Sequence, residues 1–138
     1  MKNTRLTKHT ISEVITKAIS QGYFSNFSTI IFHDLTFVKK CIDHLTKLFP
    51  ENTLHAIAAK ANPLPGLLKF MRPLGVGCEA VTIGEVYLAL KSGYPPSKII
   101  FDSPAKTIDE LTFALEKGIH INADSLNELD RIALLKKK

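Results

Sequence analysis

The sequence predicts an α/β fold, a parallel sheet flanked by helices, and three observations carry that prediction. Short β-rich stretches alternate with helical stripes along nearly the whole chain. From Leu54 onward those stretches start roughly every 22 residues, the spacing of βαβ units. No G-x-G-x-x-G follows the first of them, which removes the main support for a dinucleotide fold. The alternation alone leaves two architectures, a doubly wound open sheet and a (β/α)8 barrel. The missing glycine fingerprint favours the barrel. Gly75-Val76-Gly77 does not supply it, because it precedes a strand instead of opening a helix. A complete barrel has eight units and typically about 250 residues. A chain of 138 residues therefore reads as a partial TIM barrel of about five βα units, over residues 28–138, behind a helical lead-in at 1–27.

The elements follow in order. Thr7 to Ser20 places Ile11, Val14, Ile15, Ala18 and Ile19 at helical spacing, an amphipathic helix ended by Gly22. "TIIFHD" (29–34) reads as the first strand. Val38, Cys41, Ile42, Leu45, Leu48 and Phe49 form the next helical stripe, closed by Pro50. "LHAIAAK" is the second strand, and "LPGLLKFMRPLG" a helix opened by a proline and stopped around Pro73 and Gly75. "VGCEAVT" is the third strand and "GEVYLALKSGY" a helix ending near Gly93. "KIIFDS" is the fourth strand, entered through Pro95 and Pro96. "TIDELTFALEKG" carries a capping-box pattern, Thr107 with Glu110, and closes on Gly118. "IHINADS" is the fifth strand, and "LNELDRIALLKKK" a helix capped by Ser125.

Composition narrows the function class. The chain is 45% hydrophobic and 22% charged, which is ordinary for a globular domain and argues against disorder. No stretch approaches the roughly 18 apolar residues of a membrane span, and the polar N-terminus has no hydrophobic signal core behind it. The expectation is a cytoplasmic protein with no membrane partner. Three of the five net positive charges sit on Lys136, Lys137 and Lys138, read as a solvated, frayed end. No basic stripe is interleaved with aromatics, so no nucleic-acid partner is expected. Cys41 lies on an apolar helix face with Val38 and Leu45, and Cys78 in a strand. Both read as buried free thiols, with no disulfide framework or metal site indicated.

One strand end stands out. Alternation puts Leu54, Ala56, Ala58 and Lys60 on one side of the second strand, a row of small apolar residues ending in an ammonium group. A lysine there ordinarily escapes to solvent, but barrel active sites sit at the C-terminal ends of the strands. Other reactive side chains fall at that level: Glu79, Thr82 and Glu85 around the third strand, Asp102, Ser103 and Lys106 after the fourth, Asp124 and Ser125 after the fifth. Several strand ends in register suggest a polar mouth.

Those residues carry a resemblance. "AIAAKANP", "LGVGCEAVTIGE", "SGYPPSKIIFDSPAKT" and "GIHINADSLNEL" resemble, in order and spacing, the N-terminal part of the fold-type III pyridoxal-phosphate decarboxylases. These are the ornithine, diaminopimelate and arginine decarboxylases (group IV), related in fold to alanine racemase. The resemblance implies an alanine-racemase-like PLP-binding barrel, with pyridoxal 5'-phosphate as cofactor and a small amino acid as substrate. Lys60 then stands at the Schiff-base lysine and Ala58 at a small residue lying against the cofactor. Glu79 stands where an aspartate is more usual, near the cofactor and that lysine. Glu85 matches the glutamate opening the next helix, and Thr82 stands where serine is more usual. The chemistry agrees: such a lysine reacts only as the neutral amine, small residues leave room for a flat ring, and the cofactor withdraws electrons as CO2 leaves. Asp102, Lys106 and Asp124 lean towards structural roles.

The resemblance favours diaminopimelate decarboxylase. Ornithine, lysine or arginine decarboxylase is the alternative, since "FDSPAKT" is somewhat closer to the ornithine branch. Alanine racemase and the small barrel-only carriers of the cofactor are disfavoured, because "KANPLPGLL" lacks the Tyr-Gly-His type stretch that usually follows the racemase lysine. In the family the chain continues into the rest of the barrel and a C-terminal β-domain, with a phosphate-holding glycine-rich loop and residues lent by a homodimer partner. The expectation is therefore a truncated or split member, inactive alone. A non-catalytic piece that binds the cofactor, or pairs with a separate C-terminal half, is the reading from another class.

Overall fold

The computed structural model describes residues 7–27 and 29–136. The expectations for the first six residues and for Lys137 and Lys138 lie outside the described residues. The chain divides into two units, residues 1–34 and 35–138.

The first unit contains helix α1, Lys8–Ser20. Thr7 caps it, its hydroxyl accepting the Thr10 N–H at 3.2 Å. Gly22 follows with φ 73°, a left-handed turn that glycine adopts without strain, and a 3-10 turn covers Tyr23–Ser25. Residues 29–34, expected as the first strand, take no ladder. Their β-branched and aromatic side chains fit a pleated surface only when a partner strand supplies one, and Ile31 is 77% exposed.

The second unit holds the sheet. Its elements are α2 (Leu35–Lys47), β1 (Ala56–Ala58), α3 (Pro65–Met71), β2 (Gly77–Ala80), α4 (Ile83–Lys91), β3 (Ile99–Phe101), α5 (Ile108–Lys117), β4 (His120–Ile121) and α6 (Leu126–Lys136). Four strands pair in the order β1-β2-β3-β4, all parallel. That order decides between the two architectures. A doubly wound sheet reverses direction part-way, whereas here each strand lies beside the one before it, as in an arc of barrel wall.

Burial separates the two faces of the arc. Cys78, Ala80, Ile99 and Phe101 are fully buried, in one core with Leu68 and Met71 of α3, Val86 and Ala89 of α4, and Ala114 of α5. The alternate positions Ala56, Ala58, Glu79 and Ile100 are only half-buried, and His120 is exposed. Helices therefore cover one face, and the other is the open, barrel-inward face. The buried thiol of Cys78 and the half-buried Cys41 are both free. Among the described residues no helix is long and apolar enough to cross a membrane.

Local chemistry explains the element ends. Pro65 opens α3 at its first helical position. Thr107 and Glu110 close the reciprocal capping box at the start of α5, and Gly118 ends that helix at φ 71°. Gly77 is required for another reason: a Cβ there would lie 2.6 Å from the Lys98 carbonyl oxygen and 3.2 Å from Leu54 Cδ1. Gly77→Ala is expected to destabilise the chain by about 1–3 kcal/mol through overpacking. Gly66→Ala, in open space on α3, is expected to be neutral or stabilising by up to about 1 kcal/mol. Urea denaturation of the two variants checks the contrast.

Candidate functional site

The strand register places four residues at one level of the open face. Ala58 aligns with Glu79, Glu79 with Ile100, and Ile100 with His120. Ala58 and Glu79 are thus immediate neighbours across β1 and β2. Lys60 follows two residues after Ala58, at the C-terminal end of the strand. It does not continue the strand, as alternation alone suggested. Ala59–Ala61 turn into a 3-10 helix that leaves Ala59 buried and Lys60 exposed. No hydrogen bond or ion pair with the described residues holds the Lys60 ammonium.

Glu85 is engaged. Its Oε2 accepts the Val81 N–H at 2.7 Å, while its own N–H donates to Thr82 Oγ1 at 3.2 Å. The pair caps α4 from both sides, one residue upstream of the usual box. Together Glu79 and Glu85 act on Cys78. Burial first, then the Glu85 and Glu79 charges, push that thiol up to about 11, so it remains protonated and inert at neutral pH.

A buried ion-pair cluster lies just beyond the C-terminal ends of β3 and β4, on the side of Phe101 and α6. Lys106 lies after β3 and Glu128 in the first turn of α6, and both are buried. Lys106 Nζ donates to Glu128 Oε2 at 2.7 Å, to the Ser103 carbonyl at 2.6 Å and to the Asn122 carbonyl at 2.8 Å. All three ammonium protons are therefore used. The Nζ also sits 5.6 Å from the Phe101 ring centroid, within cation–π range. Glu128 Oε2 takes the Asp124 N–H at 3.0 Å as well, and Arg131 donates to the Lys106 carbonyl at 2.9 Å. Ser125 caps α6 as expected, accepting the Glu128 N–H at 3.2 Å. The sequence trace of this knot is S-x-x-E at 125–128, a capping pattern that places Glu128 in the first turn of α6. Asp102 and Asp124 are exposed, and Ser103 Oγ closes a local turn with Ala105.

A family profile described as "Pyridoxal-dependent decarboxylase, pyridoxal binding domain" matches residues 35–138. Diaminopimelate decarboxylase of Aquifex aeolicus is 39% identical over 106 residues, covering 75% of this chain and 25% of the relative. A crystal structure of diaminopimelate decarboxylase from Helicobacter pylori with L-lysine superposes with a TM-score of 0.76 at 28% identity, covering 86% of this chain and 31% of that one. Arginine decarboxylase of Paramecium bursaria Chlorella virus gives a TM-score of 0.75 at 32% identity, covering 88% and 33%. The chain spans about a quarter of the length of the curated relative.

Acid should loosen the knot. Burial raises the Glu128 carboxyl, but the Lys106 hydrogen bond, the Asp124 N–H and the charges of Lys106 and Arg131 outweigh it, leaving the group below the usual glutamate range. A depressed folded value means stability that is present above the unfolded value and lost as pH falls through the folded one. Wild type is expected to be more stable than Glu128→Gln at pH 7, with the gap closing below the usual glutamate range. Urea midpoints at neutral and acidic pH measure it, and a gap that stays constant refutes it.

Proposed function

The chain belongs to the pyridoxal-dependent decarboxylase family, within its pyridoxal-binding domain, and from that premise we propose that Lys60 is the residue that binds the aldehyde of pyridoxal 5'-phosphate. The carrying observation is Lys60 itself, an exposed amine with no partner among the described residues, at the C-terminal strand end where barrel sites form. The surroundings fit a flat ring. Ala58 and Gly77 put little bulk on the open face of β1 and β2, and Glu79, one strand from Ala58, offers a half-buried carboxylate beside the ring. Glu85 supports that wall through its cap on Val81; contact with the cofactor belongs to the same proposal.

When bound, the cofactor supplies the electron sink that makes loss of CO2 from an amino acid feasible. The chain's own residues do the rest. Lys60 anchors and orients. Ala58 sets the depth. Glu79 holds or releases a proton at its carboxylate. The small side chains of Ala56 and Ala58 on the open face of β1 would leave room for a flat ring there.

The substrate reading is an amino-acid decarboxylase, with diaminopimelate favoured by the 39% identity to the Aquifex aeolicus enzyme. Arginine decarboxylase is the second reading, supported by the viral enzyme at 32% identity. A cytoplasmic location and assembly as a homodimer, or with a separately encoded C-terminal half, are part of the same proposal. Reductive trapping tests its core. The chain is mixed with pyridoxal 5'-phosphate, reduced with borohydride, digested and mapped by mass. Label concentrated on Lys60, and lost in Lys60→Ala, is the expected result. Label spread over the surface lysines, or undiminished specific binding by the variant, contradicts the assignment.

A further inference from the structure

We propose that the N-terminal end of the sheet carries a second binding site, which takes a free α-amino acid as its zwitterion. The inference is independent of the Lys60 reading, because it concerns the opposite end of the strands. A cavity of about 300 Å³ opens there, lined by Pro50 and Glu51 after α2, His55 just before β1, Leu74 and Gly75 just before β2, and Lys98 just before β3. Its volume stands at the lower end of the range for small-molecule sites. The walls are fastened turns. The Thr53 N–H donates to the Pro50 carbonyl at 3.0 Å, the Gly75 N–H to the Arg72 carbonyl at 3.2 Å, and the Lys98 N–H to the Pro95 carbonyl at 2.9 Å. The Gly77 N–H reaches the His55 carbonyl at 2.7 Å, and the His55 ring stands edge-on to Phe49 with 4.9 Å between centroids. The backbone of the site is thus formed before a ligand arrives, which lowers the cost of binding.

Charge assigns the ligand class. The cavity holds one ammonium and one carboxylate, and the two do not pair: the ion pairs of the described residues all lie elsewhere. Glu51 makes no hydrogen bond among the described residues either. Lys98 Nζ gives one proton to the Gly75 carbonyl at 3.0 Å, which leaves two of its three for a ligand. Opposite charges that share a cavity without meeting suit a molecule that carries both. A zwitterion answers each, its carboxylate at Lys98 and its ammonium at Glu51, as charge-assisted hydrogen bonds. Thr46 also lines the cavity, so the C-terminal end of α2 adds its partial negative charge on behalf of the ammonium. Pro50 and Leu74 supply apolar surface for a side chain. A simple anion would face Glu51 unneutralised, and a simple cation would face Lys98.

The test titrates L-leucine into the full chain, without pyridoxal 5'-phosphate, and follows the backbone amide resonances. Saturable shifts at Glu51, His55, Gly75 and Lys98 are expected. Isocaproate, which lacks the ammonium, and isoamylamine, which lacks the carboxylate, are each expected to bind about tenfold more weakly or worse. Glu51→Gln and Lys98→Met are each expected to weaken L-leucine by about tenfold, with a wild-type circular dichroism spectrum, and Lys60→Ala to bind it as wild type does. If Lys98→Met does not fold, Glu51→Gln carries the test, since the Glu51 side chain has no partner among the described residues to lose. No saturable shift at the four residues overturns the inference. So does equal binding of isocaproate or isoamylamine, or wild-type affinity in folded Glu51→Gln. Loss of L-leucine binding in Lys60→Ala overturns it too, by putting the amino acid at the other end of the sheet. Failure of the cofactor to label Lys60 leaves it standing.

Discussion

Parallel pairing in chain order is the constraint from which the rest of the structure follows. Each parallel neighbour needs a crossover, and a crossover helix must lie on a face of the sheet. With the order β1-β2-β3-β4 the core helices collect on the face of Cys78, Ala80, Ile99 and Phe101, and those residues vanish from solvent. The other face keeps Ala58, Glu79, Ile100 and His120 at one level, half-buried or exposed. The C-terminal strand ends then share one rim. Lys60, Thr82 with Glu85, Ser103 with Lys106, and Asp124 with Ser125 meet there because the strands are parallel and in register.

The same economy recurs at the helix starts on that rim. Three successive helices open with a hydroxyl followed three residues later by glutamate: Thr82 and Glu85, Thr107 and Glu110, Ser125 and Glu128. In α5 the carboxylate returns to the backbone of the cap itself. In α4 and α6 it reaches one residue further back, to Val81 and Asp124. Those two glutamates thus fasten the strand-end turn as well as the helix. In α6 the carboxylate does both and neutralises a buried lysine besides. The rim is therefore held by side chains that also cap helices, while Lys60 makes no hydrogen bond or ion pair among the described residues. A reactive amine needs that freedom to reach an incoming aldehyde.

Much of this was legible because it is local. Helical stripes, proline and glycine punctuation, the Thr107–Glu110 box and the Ser125 cap all depend on residues within a turn of one another. Burial of Cys78 followed from its place in an apolar strand. The features that were not legible depend on distant partners. Residues 29–34 have strand composition, but a ladder needs a neighbour that composition does not name. The turn at Ala59–Ala61 breaks the alternation that assigned Lys60 to a strand face, although the strand-end position survives. The Lys106–Glu128 pair spans 22 residues. Lys106 leans towards a structural role by its place after the fourth expected strand, but nothing near it in sequence names Glu128 as its partner. Only the packing of α6 beside the β3 turn joins them.

Covalent attachment at Lys60 is the claim on which the account turns, and a crystal structure of the chain grown with pyridoxal 5'-phosphate tests it most directly. The account predicts density continuous with Lys60 Nζ, the ring lying over Ala58 on the open face and Glu79 at its side. Density continuous with another lysine, or a cofactor lodged away from the C-terminal rim of the sheet, would contradict it.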